Sequence, residues 1–260
     1  MLKTTRIARI LLVASAGLLA LGTGPAHAET TNCTVIDALP YTIAAPGIYC
    51  LTADFDVNLA AGAAITIDSS HVVLDLNGHK IANGAGDATQ AYGVYALNRT
   101  SLTVRNGTLI GFLIGVNIKD TSGGYATTQN CIVEDVRANF NKYQGLNVEG
   151  KMNVVRNNHV LYTYGTTLWG ANVSAYGIRV VGPSPRVLNN EVSEVFKSGT
   201  GTAYGIFLVA VTNGFAYENR VAAVTNGIVF SGASTGKYKD NLTSGVTTAF
   251  SGGTDAGGNH

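Results

Sequence analysis

Charged side chains are scarce in this chain of 260 residues, and their signs balance, with 17 basic and 16 acidic residues. Three of the basic residues, Lys3, Arg6 and Arg9, lie in the first 28 positions, so the remainder has 14 basic and 16 acidic residues. A protein that binds nucleic acid needs a basic surface to contact the phosphates. The sequence therefore predicts no nucleic-acid partner.

Long apolar runs are missing as well, with one exception near the start of the chain. The basic segment MLKTTRIARI is followed by LLVASAGLLALG and then by small residues, Ala26 and Ala28, on either side of His27. This order is typical of a secretory signal peptide, whereas a transmembrane helix needs about 20 apolar residues. We predict a signal peptide at residues 1–28 and no membrane span after signal cleavage. The mature protein is expected to be secreted or periplasmic.

Cysteine occurs only three times, and no spacing of cysteines or histidines suggests a metal site. Cys33 and Cys50 bracket a loop that contains Pro46-Gly47, and an exported protein can form disulfides. We predict that these two residues are bonded to each other. Cys131 has no histidine near it in the repeat described below, so it is expected to pack as a small buried apolar residue.

Long helix-forming patterns are rare, whereas the chain has 32 glycines and much Val, Asn and Thr. This composition favours β-structure with many turns, and the length suits one domain. A glycine followed by an apolar residue recurs along the chain, and a second motif follows it, in its clearest copies Val-x-Asn-Asn-x-Val. The motifs define a unit of about 22 residues with three insertions. The marker glycines are Gly93, Gly115, Gly145, Gly177, Gly205 and Gly227.

Two or three short strands per unit, separated by Gly and Asn, are what the coil of a solenoid requires. Successive coils stack through parallel pairing at about 4.8 Å. Asparagine at equivalent corners tolerates left-handed backbone geometry and can hydrogen-bond along the stack. Side chains alternate across a strand, so the first and third residues after each marker glycine should point inward. These predicted core residues are Val94, Ala96, Val116, Ile118, Leu146, Val148, Ile178, Val180, Ile206, Leu208, Ile228 and Phe230.

The segments VVLDLNGHKI (72–81), LTVRNGTLIGF (102–112) and NVVRNNHV (153–160) resemble the repeat units of right-handed parallel β-helix proteins, the pectate-lyase-like superfamily. The resemblance covers roughly residues 54–246. It implies an all-β fold, a right-handed parallel β-helix built as a solenoid of about 22-residue coils. Residues 29–53, with the predicted disulfide, would form an N-terminal cap on the first coil. Residues 247–260 are expected to be a C-terminal tail, either frayed or covering the last coil.

The second and fourth residues after each marker glycine should point outward, and these residues should form one continuous face. In the middle coils this face is polar and charged, with aromatic residues at its ends. One interpretation is a surface for a sugar chain. The other is an ordinary solvated sheet, with Lys119 and Glu149 as a weak pair between coils. The residues of this face are Tyr95, Asn117, Lys119, Asn147, Glu149, Arg179 and Phe207.

Two insertions, at residues 162–175 and 196–203, leave successive coils at the same corner and should lie side by side. A third, at 82–91, leaves an earlier coil from that corner, while 121–129 leaves from the other strand. Aromatic side chains on loops over a rigid scaffold are typical of recognition sites, although they can also cover their own loop. The aromatic candidates for substrate binding are Tyr162, Tyr164, Trp169, Tyr176 and Tyr204.

Several members of the superfamily cleave or epimerise acidic polysaccharides, and the resemblance implies that a lyase would use Ca²⁺ ligands and an Arg or Lys base. The sequence shows no cluster of calcium carboxylates and no pair of aspartates placed as acid and base. The segment RVVGPSPR (179–186) is only superficially similar to a pectate-lyase segment. Arg179, Lys119 and Glu149 are therefore the catalytic candidates, and Ca²⁺ is expected only for a lyase.

Two functions remain open at this point. The first is an exported, monomeric protein that binds or processes polysaccharide, with Tyr95, Asn117 and Asn147 among its contacts. The alternative is a non-catalytic structural or adhesion module of the cell envelope or surface. Whether the chain is an enzyme is left undecided by the sequence, because the repeat encodes stacking of coils rather than chemistry.

Overall fold

The computed structural model of this chain describes residues 32–260, and every regular element in that range is a β-strand. The described residues include no helix that is long and apolar enough to cross a membrane. The predicted signal peptide lies outside the described residues. In chain order the strands are β1 (Thr34–Ile36), β2 (Tyr41–Ile43), β3 (Gly47–Leu51), β4 (Phe55–Val57), β5 (Ala63–Ile67), β6 (Val72–Asp75), β7 (Lys80–Asn83), β8 (Tyr92–Leu97), β9 (Leu102–Ile110), β10 (Ile114–Lys119), β11 (Ile132–Asn139), β12 (Gln144–Glu149), β13 (Val154–Arg156), β14 (His159–Tyr164), β15 (Ala175–Val181), β16 (Arg186–Leu188), β17 (Glu191–Phe196), β18 (Ala203–Val209), β19 (Gly214–Tyr217), β20 (Arg220–Ser231), β21 (Gly236–Lys239), β22 (Leu242–Ser251) and β23 (Thr254–Asp255).

The strands pair in parallel from one coil to the next, which confirms the predicted all-β solenoid. The chain visits three faces in a constant order. Face A holds β2, β5, β8, β10, β12, β15, β18 and the ends of β20 and β22. Face B holds β1, β3, β6, β13, β16, β19, β21, β23 and the starts of β9 and β11. Face C holds β4, β7, β14, β17, the ends of β9 and β11, and the starts of β20 and β22.

The apolar core is a set of columns that run along the axis inside the three faces. On face A, Val116 pairs with Val94 of the coil before and Leu146 of the coil after, and all three side chains are fully buried. Burying a side chain of this size stabilises the fold by roughly 1.5–3 kcal/mol. The twelve predicted core residues are all buried, so the marker glycines give the correct register of face A.

The corner between faces B and C is built by the Asn-Asn pair of the second motif. The first asparagine, as at Asn189 with φ of 50°, takes the left-handed conformation that turns the chain. The second points inward and is buried: Asn190 receives hydrogen bonds at 3.0 Å from the backbone and side-chain amides of Asn158. This confirms that asparagine links coils at a corner. The asparagine ladder consists of Asn158, Asn190, Asn219, Asn241 and Asn259.

The marker glycines are required where the chain turns into face A. A Cβ atom at Gly145 would lie 2.4 Å from Cγ1 of Val160 and 2.7 Å from the carbonyl oxygen of Gly177. Both distances are far below normal contact, so any side chain here would push face C away from face A. Glycine therefore recurs at this position because neighbouring coils and faces approach each other closely.

Both ends of the solenoid continue the coil pattern. The predicted disulfide between Cys33 and Cys50 is present. Cys33 directly precedes β1 and Cys50 lies in β3, and these two strands pair with each other on face B. At the other end, strand pairing extends past residue 246 to Ser251. Asn259 then provides the last rung of the asparagine ladder. Residues 247–260 thus form much of the last coil.

Candidate functional site

Three loops interrupt the corner between faces C and A, and they are shorter than the sequence predicts. They comprise residues 84–91, 165–174 and 197–202. Tyr162 and Tyr164 therefore belong to β14 and not to a loop, which corrects the predicted start of the second insertion. The strand extends because Tyr164 pairs in register with Phe196 of the next coil, and aromatic residues fit such cross-strand positions well.

The second and third loops lie side by side, as their equivalent positions in successive coils predict. The backbone amide of Thr200 donates to Oδ1 of Asn172 at 2.9 Å, and Oγ of Ser198 donates to the carbonyl oxygen of Ala171 at 3.1 Å. At their base, the amide of Gly165 donates to the carbonyl oxygen of Phe196 at 2.7 Å. These bonds make the two loops one paired-loop unit.

The polar residues of face A bind one another. Nδ2 of Asn147 donates to Oδ1 of Asn117 at 2.9 Å, and Nη1 of Arg179 donates to Oδ1 of Asn147 at 2.8 Å. The same guanidinium nitrogen lies 2.8 Å from Oε1 of Glu149. Lys119 is exposed and forms no ion pair with Glu149 in the described structure, so the expected Lys119–Glu149 pair is replaced by Arg179–Glu149.

The two asparagines of this network point outward but are not exposed. Asn117 and Asn147 have exposed fractions of only 3% and 4%. Arg179 bonds to Asn147 from the neighbouring coil, and Asn147 in turn bonds to Asn117, so the polar atoms are used within the face. In this geometry the main role of the two asparagines is to position Arg179, and they offer few free polar atoms to a ligand.

An aromatic cluster covers face A beside the paired-loop unit. Trp169, from the second loop, packs edge-on against Tyr143 with ring centroids 4.9 Å apart. Tyr143 also meets Tyr176 edge-on at 5.8 Å, and Tyr176 stacks on Tyr204 at 5.2 Å. Phe207 packs on Tyr204 at 4.5 Å. The structure therefore brings together three of the predicted aromatic candidates, and Trp169 remains 57% exposed.

A second aromatic pair stands nearer the N-terminal end of face A. Tyr95 stacks on Tyr92 with ring centroids 5.2 Å apart. Burial raises the pKa of Tyr95, and the neighbouring Tyr92 and Glu149 raise it further. Burial also raises the pKa of Tyr176 in the aromatic cluster, so both phenols stay protonated and available as hydrogen-bond donors at neutral pH.

Tyr162 and Tyr164 belong to a different group, which we call the aromatic ladder: Phe140, Tyr162, Tyr164 and Phe196. Tyr162 lies nearly parallel to Phe140 with centroids 5.1 Å apart, and Tyr164 lies nearly parallel to Phe196 at 6.0 Å. Because these rings face one another, a sugar could meet only the edges of the inner rings. Nζ of Lys142 lies 5.4 Å from the centre of the Tyr164 ring, a favourable cation–π position.

A groove of about 970 Å³ runs along the corner between faces B and C. Part of its charge is paired: Nε of Arg105 donates to Asp75 at 2.9 Å, and Glu134 accepts from Nε of Arg156 at 2.7 Å. Asp135, Arg137 and Glu191 also line the groove and form no ion pair within residues 32–260. Stacked coils favour such alternation because like charges about 5 Å apart repel. The described residues contain no group of three or more His, Cys, Asp or Glu side chains placed to hold a metal ion.

Four aromatic members of these groups are absent from the residues singled out in the sequence: Tyr92, Phe140, Tyr143 and Phe196. Tyr92 occupies the position directly before a marker glycine, and the same position in the following coils holds Ile114, Gln144 and Tyr176. That position could have been found by aligning the residue before each glycine. Tyr143 and Phe196 lie next to corners, where the repeat is interrupted by loops, and no periodic signal marks them.

The free cysteine occupies a buried position, as the sequence predicts. Cys131 is fully buried, and its Sγ lies 3.6 Å from the carbonyl oxygen of Gln129. Burial raises the pKa of this thiol to about 11. A thiol with so little thiolate at neutral pH is a poor nucleophile, so Cys131 does not contribute to the candidate site.

Comparison with known proteins adds little to these observations. No protein-family model matches the sequence, and no curated protein matches it significantly. Among solved structures, the chain is similar to an alginate lyase from Paenibacillus sp. str. FPU-7, with 9% sequence identity and a TM-score of 0.26. The match covers 76% of this chain and 98% of that one. At this TM-score the similarity carries no argument, so a function has to follow from the residues themselves.

Proposed function

We propose that face A binds an extended polysaccharide chain, with Trp169, Tyr176 and Tyr204 as the stacking surface. The observation that carries this proposal is the state of Trp169. It is 57% exposed, yet it is held by an edge contact to Tyr143 and by the paired-loop unit. A rigid aromatic ring presented to solvent on a fixed scaffold suits the flat apolar side of a pyranose ring.

Polar groups next to the aromatic cluster supply hydrogen bonds to sugar hydroxyls. Arg179 and Glu149 retain side-chain exposures of 24% and 13%, so each keeps some surface for a ligand. Gln144 stands in register with Tyr176, and its Oε1 finds no hydrogen-bond partner in the described structure. An unpaired buried acceptor of this kind is destabilising unless a ligand hydroxyl or a water satisfies it.

At the centre of face A the charges balance, which favours a neutral glycan there, and Lys119, unpaired within the described residues, lies on the exposed rim. Arg179 is the cation at the centre of the face, and Glu149 neutralises it at 2.8 Å. A uronate carboxylate that approached Arg179 would have to compete with Glu149 and would be repelled by it. A neutral sugar can use both groups as hydrogen-bond partners without breaking the ion pair.

The geometry supports binding rather than catalysis. Arg179 is engaged by Glu149 and Asn147, and Lys119 lies on the exposed rim without a carboxylate partner in the described range. Among residues 32–260, no group of His, Cys, Asp or Glu side chains is placed to hold Ca²⁺, so nothing in that range supports a calcium-dependent elimination. The disulfide suits an oxidising compartment, which agrees with the proposal that the mature protein acts outside the cytoplasm.

The first test uses the mature chain, residues 29–260, and the fact that Trp169 is its only tryptophan. Intrinsic fluorescence is titrated with neutral polysaccharides (xylan, mannan, mixed-linkage glucan) and with alginate and pectate. We expect a saturating change with at least one neutral polymer and a weaker one or none with the acidic polymers. No change in fluorescence with any of the polymers would favour the alternative, a structural module of the cell surface.

A variant test locates the site independently of fluorescence. Trp169→Ala should weaken binding at least tenfold in affinity electrophoresis, because the stacking surface is lost. Its unfolding free energy should change by less than about 1 kcal/mol, since the ring is mostly exposed. The matched control is Phe215→Ala, which removes a 49% exposed ring from face B. Equal losses in both variants would contradict a site on face A.

The same samples separate binding from cleavage. A lyase creates unsaturated uronate ends that absorb ultraviolet light. We expect no rise in absorbance when the protein is incubated with alginate or pectate in the presence of Ca²⁺. A rise that depends on Arg179 would overturn the binding-only proposal and restore the predicted catalytic candidates.

A further inference from the structure

The aromatic ladder ends at Phe196, and it ends beside open space. Tyr164 pairs with Phe196, and Ser193 pairs with Ala222 in the next coil. If the pairing of Ser193 with Ala222 continues three residues further along both strands, Phe196 lies opposite Thr225. One face of the Phe196 ring stacks on Tyr164, while the position that would cover the other face carries threonine. Phe196 is accordingly 42% exposed.

The open space is a pocket formed by a step in the outline of the solenoid. The loop of residues 197–202 projects from the corner after Phe196. In the next two coils the corner has no insertion, because β20 and β22 run through it without a break. The step leaves a pocket of about 290 Å³. It is bordered by Phe196 and Lys197 on one side and by Ala223, Thr225, Gly245 and Thr247 on the other.

The chemistry of the walls fits one neutral pyranose ring. An aromatic face on one side suits the apolar side of the sugar, and the small residues Ala223 and Gly245 leave room for its thickness. Thr225, Thr247 and Lys197 can hydrogen-bond to its hydroxyl groups. A purely aromatic ligand would also stack on Phe196, but it would leave these polar groups without partners.

We infer that this step is a second carbohydrate site, separate from face A, that binds a single neutral sugar residue as the next member of the aromatic ladder. The inference rests on the proposed function for its class of ligand. Its location differs from that of face A, because Phe196 ends β17 before the loop of residues 197–202, whereas Tyr204 lies in β18 after that loop. A glycan held on face A and a sugar residue at the step would therefore lie on opposite sides of the same loops.

The test uses the mature protein with Trp169→Ala, which removes the main stacking ring of face A. It measures saturation transfer by NMR to methyl β-D-glucopyranoside, methyl β-D-xylopyranoside and methyl α-D-mannopyranoside. We expect transfer to at least one glycoside. Thr225→Phe should abolish it, because the new ring stacks on Phe196 and fills the pocket. Phe196→Ala should weaken it at least tenfold. Phe215→Ala, made in the same Trp169→Ala protein, is the matched control and should leave the signal unchanged.

Several results would overturn the inference. One is the absence of transfer to all three glycosides with the Trp169→Ala protein, and another is transfer that survives Thr225→Phe. In a third, p-cresol displaces the glycosides completely, whereas no glycoside displaces p-cresol. This result would assign the pocket to aromatic ligands. Circular dichroism confirms that each variant is folded, and Thr225→Phe still decides the question if Phe196→Ala does not fold.

The outcomes also separate this inference from the proposed function. Polysaccharide binding that depends on Trp169, with no glycoside signal sensitive to Thr225→Phe, would refute the second site and leave face A intact. A glycoside signal that depends on Thr225, with no polysaccharide bound at Trp169, would refute face A alone.

Discussion

Replacing Asn190 by alanine removes one rung of the asparagine ladder and should destabilise the solenoid severely. The side chain makes four hydrogen bonds and is almost completely buried. Its Oδ1 accepts from the backbone and side-chain amides of Asn158, both at 3.0 Å. Its Nδ2 donates to the carbonyl oxygen of Val155 and to Oδ1 of Asn219, both at 2.9 Å.

The expected size follows from the groups that are left without partners. In Asn190→Ala, two N–H groups of Asn158 lose their acceptor, and the carbonyl oxygen of Val155 loses a donor. Each buried polar group stranded in this way costs about 1–3 kcal/mol, and partial relaxation or an entering water recovers some of it. We therefore expect the free energy of unfolding to fall by about 3–5 kcal/mol.

Urea unfolding followed by far-ultraviolet circular dichroism measures this change, because the signal reports on all the strands. Fluorescence is less suitable, since Trp169 lies on a loop. The matched control is Asn189→Gly: Asn189 is exposed and left-handed, a conformation that glycine adopts freely. It should change stability by no more than about 0.5 kcal/mol. A loss below about 1 kcal/mol in Asn190→Ala, at an unchanged m-value, would refute the reasoning.

Two further predictions concern other parts of the coil. Gly145→Ala should lower the unfolding free energy by about 1–3 kcal/mol through overpacking. The control Gly123→Ala should not lower it, because a Cβ atom there meets nothing within 4 Å. Equal effects of the two variants in thermal unfolding would contradict the argument that the coils approach closely at Gly145. Asp120 has a lowered pKa: burial raises it, but hydrogen bonds from Ser122 and Thr128 lower it by more. Its stabilisation is therefore present above the unfolded pKa of about 3.9 and is lost as the pH falls through the lower folded value. Asp120→Asn should thus destabilise the protein in urea at pH 7 and much less at pH 2, and a loss that does not depend on pH would speak against this role.

The coil pattern could be predicted because it depends on chemistry that repeats. Gly145 has to be glycine for steric reasons, and Asn190 has to be asparagine because both of its ends are used. Such requirements recur in every coil, so the spacing of glycines and asparagines gives the register of faces A and B and the position of one corner. The disulfide between Cys33 and Cys50 was predictable for a different reason, since only three cysteines are present and two bracket a turn.

The candidate site was predictable only in part, because its details depend on side-chain reach. Ile118 pairs with Val148, and Asn147 pairs with Arg179. This register brings both Lys119 and Arg179 near Glu149, and the repeat alone does not show which of them pairs with it. The guanidinium group decides the matter because it can bond to Asn147 and Glu149 together. The same contact buries Asn147, although its position in the repeat points outward. An outward position in a repeat therefore does not establish exposure.

The aromatic residues show a similar limit. Tyr162 and Tyr164 look like loop residues in the sequence because the repeat is interrupted nearby. In the structure they continue β14, since Phe196 of the next coil provides a ring for Tyr164 to stack against. Local pattern could not show this, because the partner lies in another coil, 32 positions further along the chain.

The asparagine ladder also has a direction. From Asn158 through Asn190, Asn219 and Asn241 to Asn259, one N–H of each side-chain amide donates to the next asparagine toward the C-terminus. The amide dipoles therefore point the same way and add along the axis, and each bond polarises the next in an interior of low dielectric constant. The asparagine ladder is thus a row of aligned dipoles, and its total dipole moment grows with the number of coils. Adding or deleting a coil changes the electrostatic field inside the solenoid as well as its length.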